Sequence, residues 1–206
     1  MNIFAVSHDP IKAAQMLCDK HIPKMIVECF QMLGSAVRRH GAQDAQMPLT
    51  SKGTPLKGGY HQHPATRFTG ETRGNYCWVV QHALELCKEY TFRFGKVHAC
   101  QSGIIHLATM IHLIPEGDFT EFAQCMPDEY KRETSHQKCV NNAVIAYRNY
   151  YAGEKGGFAH WDRGRKAPDW FTRRMFLIDA GQFEPQGCGY SYAYRYEYKP
   201  AKCADS

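Results

Sequence analysis

Apolar residues recur at helical spacing near the start of the chain. At 100° per residue Ile11, Ile22, Ile26, Cys29, Phe30 and Leu33 fall on one side of a single helix, the stripe a core-facing helix needs. Asp9 can cap its start by accepting an unpaired backbone N–H, and Pro10 suits the first turn, where a missing N–H costs nothing. The pattern predicts one long helix from Asp9 to His40 and makes it the element around which the rest is built.

The same spacing returns over 72–94 through Tyr76, Val79, Val80, Ala83, Leu84, Leu86, Cys87 and Tyr90, and Gly95 stops it. A shorter apolar helix is predicted over 102–112, ended by Pro115. A fourth runs over 139–155 through Val140, Ala143, Val144, Tyr147 and Tyr151, with Gly156 and Gly157 loosening its end. Residues 41–60 carry Gly, Pro and Ser with few large apolar side chains, which is loop chemistry. The segment 116–138 is polar and irregular around a short helix, and 163–171 reads as a basic turn followed by aromatics. In the tail, 190–198 alternates Tyr with small or charged residues, as a strand, a paired ribbon or an extended packing arm would. The expected fold is mainly α, one domain over 1–206, with loops or insertions at 41–60 and 103–138 and a C-terminal extension over 188–206.

Composition narrows the class. With 206 residues, 44% hydrophobic and 22% charged, the chain can bury one sizeable core and is not disordered. No apolar run reaches the roughly 18–20 residues that a bilayer span requires, so no membrane association and a cytoplasmic location are expected. Nine Cys, an odd count scattered through helical patterns, point to reduced thiols rather than a disulfide framework. A net charge of +5 permits a polyanionic partner without requiring one.

One face of the first helix carries candidate chemistry. His21, Lys24 and Glu28 lie within roughly 60° of one another, because spacings of three, four and seven stack side chains. A solvated Lys24–Glu28 ion pair and an active-site wall both fit that spacing. Zinc does not: His61 and His63 lack a further pair at ligand spacing, and no cofactor is implied, since phosphate-loop and dinucleotide fingerprints are absent. No local signature selects a nucleophilic Cys. What remains is a nucleic-acid pattern of cations interleaved with rings: Arg38, Arg39 and His40; Arg67 beside Phe68; Arg148 beside Tyr147; Lys155; then Arg163, Arg165, Lys166 and Trp170.

Ordered along the chain, these residues resemble the pyrimidine-dimer DNA glycosylase and AP-lyase family, small helical repair enzymes typified by endonuclease V of the T-even phages. Asp19-Lys20-His21 followed by Glu28 resembles the family's first-helix His and catalytic Glu. Ala36-Val37-Arg38-Arg39-His40 is similar to its AVR-basic-His run, and His63-Pro64 through Arg67-Phe68 to an HP-x-x-R-aromatic element. Glu89 to His98, Glu154-Lys155 and Pro168-Asp169-Trp170-Phe171 resemble later elements. A similar MNIF…DP…CDKH…KM opening is shared with a set of phage-encoded relatives.

The resemblance implies a mechanism and a partner, double-stranded DNA. An N-terminal α-amine attacks the sugar C1′ of an extruded nucleotide, and the Glu stabilises the cationic imine and assists the proton transfers that lead to strand cleavage. An α-amine suits this because it is less basic than a lysine ammonium. Here the amine would be that of Met1, with Glu28 and His21 as its catalytic neighbours and Lys24 among the phosphate-facing cations. The chain departs from the pattern at Asn2, where the family carries a small Thr; removal of Met needs a small second residue, so Met1 is expected to be retained. Two other functions fit the same residues: a base- or nucleotide-modifying enzyme that forms no imine, and a non-catalytic binder of nucleic acid or of a host protein.

Overall fold

A computed structural model of the chain describes residues 1–132 and 142–186. Seven α-helices follow one another: α1 (Pro10–Gln15), α2 (His21–Arg39), α3 (Pro64–Thr69), α4 (Arg73–Phe94), α5 (Gln101–Ala108), α6 (Asn142–Lys155) and α7 (Asp169–Asp179). Short 3-10 turns lie between them, and among the described residues the only β pairing is an isolated bridge between Leu49 and Pro55. The fold is mainly α, as the hydrophobic pattern predicts. The tyrosine-rich stretch 190–198 lies outside the described residues.

The predicted helix over 9–40 is two helices, and the tertiary partners of its middle explain why. In an unbroken helix the carbonyls of Gln15, Met16 and Leu17 would accept the N–H groups four residues on. Instead Arg93 donates to Gln15 O at 2.9 Å and to Leu17 O at 2.8 Å, and the Trp161 indole donates to Met16 O at 3.2 Å. The Asp19 N–H in turn goes to His160 O at 2.9 Å. Side chains from α4 and from the segment after α6 thus take over the bonds of one helical turn. Ile11, placed by periodicity on the buried stripe, is 45% exposed as a consequence.

Arg93 is itself held by Glu89 at 2.9 Å and Asp19 at 3.0 Å, and Glu89 also accepts from Nε and Nη2 of Arg165, at 3.1 and 2.5 Å. This buried charged cluster joins the α1–α2 turn, α4 and the loop before α7. Around it α1 and α2 pack on α4, α3 and α5 flank α2, and α6 packs on α7. Tyr76, Trp78, Met25, Ile26, Tyr147 and Tyr151 are fully buried in the core between them.

Helix α4 starts and stops where the sequence predicts. The Thr72 hydroxyl accepts from Asn75 N at 3.1 Å, and Gly95 ends the helix in the left-handed region at φ 67°. Helix α7 falls where the sequence reads only a turn with aromatics. Loop 41–60 lies flat on α2: Arg38 donates to Leu56 O at 2.9 and 3.2 Å, and Gly34 leaves room for the Leu56 side chain, which any Cβ there would meet. Cys18, Cys29, Cys87, Cys100 and Cys125 are free thiols, whereas Cys77 is disulfide-bonded, against the expectation that all are reduced.

Candidate active site

The break between α1 and α2 turns the amino-terminal segment back through the core. Ile3, Ala5 and Val6 are fully buried, and Phe4 lies between them with φ 41°, a region costly for a bulky side chain. Asn2 holds that turn: its Oδ1 accepts from Ile3 N at 2.8 Å and Phe4 N at 2.9 Å, while its Nδ2 donates to Cys125 O at 2.7 Å. Arg148 fastens the far end by donating to Val6 O at 2.8 Å.

Glu28 waits at the start of this segment. Its Oε2 accepts the Asn2 N–H at 2.5 Å and lies 4.0 Å from the Met1 α-amine; its Oε1 lies 3.8 Å from the Lys24 ammonium. The Lys24–Glu28 pair anticipated from spacing therefore forms, and it borders a free amine. The Met1 side chain is 1% exposed, with Sδ accepting from the Thr66 hydroxyl at 3.5 Å, yet Met1 as a whole is half-buried. What Met1 presents to solvent is thus main chain and not side chain.

His63 completes the setting, and the sequence flags it only as part of a motif. It caps α3, its Nδ1 accepting from Ala65 N at 3.2 Å, so the neutral ring carries its proton on Nε2. Burial keeps its pKa below the usual range; the charge of the N-terminal amine pushes the same way and Glu28 opposes. The ring thus sits in the field of both groups. Cys125 borders the same point: burial raises its thiol, and the amine's charge is among the influences that oppose the rise. Neither Asn2 nor Cys125 could be found by spacing, since Cys125 reaches Asn2 across 123 positions.

Residues 1–101 match the family model of the pyrimidine dimer DNA glycosylases. The match spans just under half of the chain and supports the likeness to that family. The match supports a pyrimidine dimer DNA glycosylase kind of function, and that family implies DNA as the substrate. No curated protein and no solved structure matches the chain significantly. The match covers the amino-terminal segment and α1 to α4, and so takes in Met1, Glu28 and His63.

Other predicted site residues occupy different surroundings. His21 is 3% exposed; its Nδ1 meets the Tyr151 hydroxyl at 2.6 Å, and Phe4 stacks on its ring at 4.7 Å. The Tyr151 oxygen also accepts from Cys18 N at 3.0 Å. Burial, followed by the charges of Lys24, Lys155 and Lys20, lowers His21 to a pKa of about 4 and keeps it neutral. It is a buried prop of the amino-terminal turn, away from solvent, rather than part of an open wall with Lys24 and Glu28.

Among the cations, Lys24, Arg39, Arg67, Arg163 and Lys166 are exposed. Arg39 donates to His61 O at 2.5 Å and Arg67 O at 3.4 Å, which sets those two arginines side by side near His63. His40 is half-buried against Gly70 O at 2.8 Å. Three of the predicted DNA-facing groups already have partners within the chain. Arg38 spends its donors on Leu56 O and Ala42 O and on an ion pair with Asp44 at 2.6 Å. Arg165 is neutralised by buried Glu89. Trp170 is 9% exposed, its indole N–H on Met16 Sδ at 3.4 Å, so its ring packs the core instead of awaiting a base. Lys155 lies over Tyr150 at 4.9 Å, Arg148 over Trp170 at 5.5 Å, and Arg163 over Phe94 at 4.7 Å. Among the described residues no group of three His, Cys, Asp or Glu could hold a metal ion, and no helix is long and apolar enough to cross a membrane.

Proposed function

We propose that the chain is a DNA glycosylase with AP-lyase activity on a damaged or modified pyrimidine in double-stranded DNA, acting through the Met1 α-amine and Glu28. The observation that carries the reading is an α-amine 4.0 Å from the Glu28 carboxylate, on a residue whose side chain is buried while the residue as a whole keeps some contact with solvent. A buried Met1 side chain holds the amine in one place, which is what an effectively intramolecular attack needs.

In the reaction the amine nitrogen bonds to C1′ as the bond from C1′ to the base breaks, and the base leaves with the electron pair and gains a proton. Opening of the sugar gives an imine cation. Glu28 stabilises that cation, and a carboxylate so placed can take the C2′ proton as the 3′ phosphate departs. Lys24, Arg39 and Arg67 meet the backbone phosphates around the extruded nucleotide. Arg148, Lys155, Arg163 and Lys166 extend the cationic surface. His21, through Tyr151 and Phe4, positions the amino-terminal turn.

Borohydride trapping on duplex containing an abasic site or a pyrimidine dimer tests this. Wild type should form a covalent adduct whose peptide maps to residue 1, N-terminal acetylation should abolish it, and Glu28→Gln should reduce strand cleavage by about 100-fold or more. No adduct would remove the amine mechanism. Activity that survives N-terminal blocking but not Glu28→Gln would point to base modification without an imine. Binding indifferent to Glu28→Gln but lost in Arg39→Ala/Arg67→Ala would leave a non-catalytic binder.

A further inference from the structure

Tyr60 stands out on two independent counts. Its side chain is among the most exposed large apolar groups, at 68%, and its φ of 50° lies in the left-handed region that a bulky residue adopts only when its surroundings impose it. Among the described residues the only other non-glycine with positive φ is Phe4, which is buried inside the site.

The surroundings do impose it. On one side the Ser35 hydroxyl accepts from Gly59 N at 2.8 Å and donates to Gly59 O at 3.0 Å. Gly58, at φ 75°, packs so closely on Ser35 that any Cβ would collide with it. On the other side Arg39 holds His61 O at 2.5 Å, and the carbonyl of Tyr60 itself accepts from His63 N at 2.8 Å. The backbone of 58–63 is thereby fixed against α2, and an aromatic ring projects from it into solvent. The chain bends against its preference, and among the described residues no hydrogen bond or ring contact engages the Tyr60 side chain.

Its neighbours are those of the amine. Gly59 lies over Gln31, one helical turn beyond Glu28, and His63 follows three residues later. Exposed Arg39, held on the carbonyls of His61 and Arg67, and exposed Arg67 itself bring positive charge to this edge, which suits a phosphate backbone beside a stacked base. Extruding a nucleotide leaves a gap in the stack, and a flat, preorganised ring beside the pocket lowers the cost of that gap.

We propose that Tyr60 is the wedge of this site: its ring stacks on the base next to the extruded nucleotide and holds the duplex open. The assignment rests on the DNA-glycosylase reading, and it makes Tyr60 a positioning residue that never touches the reacting atoms.

The test uses full-length protein with Tyr60→Phe, Tyr60→Ala and Tyr60→Gly variants. The probe is a duplex carrying a non-cleavable tetrahydrofuran abasic analogue with 2-aminopurine beside it. Wild type and Tyr60→Phe should perturb 2-aminopurine fluorescence alike. Tyr60→Ala and Tyr60→Gly should lose most of that signal and cut an abasic duplex about tenfold or more slowly, with Tyr60→Gly melting no lower than wild type. A full signal in Tyr60→Ala, or no signal in wild type, overturns the wedge. The two readings separate cleanly: a Tyr60-dependent signal without borohydride trapping sinks the lyase and keeps the wedge, whereas trapping without that dependence does the reverse.

Discussion

Arg93→Met tests the physical account of the broken first helix. The side chain is fully buried and donates to Glu89, Asp19, Gln15 O and Leu17 O. Methionine fills much of the same volume but satisfies none of these acceptors. Removing one partner of a buried ion pair costs about 3–5 kcal/mol, and each orphaned buried carbonyl adds about 1–3 kcal/mol, though such costs do not sum. Arg165 still faces Glu89, so the lower end applies: about 3–4 kcal/mol, a large part of the 5–15 kcal/mol typical of a domain. With a urea m-value of about 2 kcal/mol/M, the midpoint should fall by roughly 1.5–2 M. Arg93→Met/Asp19→Asn should recover part of the loss, because it removes the carboxylate whose ion pair was with Arg93. Borohydride trapping should fall as well, since the break turns residues 1–9 back towards Glu28. A loss under about 1 kcal/mol, or a double variant worse than the single, would refute the reasoning.

Acid sensitivity follows from two buried histidines. Burial lowers both His21 and His82 from 6.5 to about 4, so each is neutral when folded and binds a proton more readily when unfolded. Stability should be full above about pH 6.5, fall as the pH drops towards about 4, and level off below, by up to roughly 3 kcal/mol per histidine. Urea midpoints across that range should show it, and His21→Gln should flatten the slope; an unchanged slope in His21→Gln and His82→Asn would exclude both. Asn2→Thr makes residue 2 small enough for Met1 to be removed, which puts a free amine where the Asn2 nitrogen sits, 2.5 Å from Glu28. The purified variant should lack Met1 by intact mass and trap on abasic duplex about tenfold faster, the order expected for correcting a displacement of this kind; slower trapping despite Met removal would show that the Asn2 side chain matters more than the distance.

Much of the architecture was legible in the sequence because it depends on local forces. The stripe over Ile22 to Leu33, the Thr72 cap and the Gly95 stop are set by residues within a few positions of one another, and so were the Lys24–Glu28 pair and the ordered likeness to the glycosylase family. Tertiary structure decided where bonds had a choice of partner. Asp9 to His40 carries good helical periodicity, yet Arg93 and Trp161, more than 70 residues away, outbid the helix for the carbonyls of Gln15, Met16 and Leu17. The same competition engaged Arg38 and Arg165 with partners inside the chain, packed Trp170 into the core and buried His21 against Tyr151. It also brought Asn2, His63 and Cys125 to the amine, and no periodicity in one stretch could reveal that, because a hydrogen bond depends on distance in space and not along the chain.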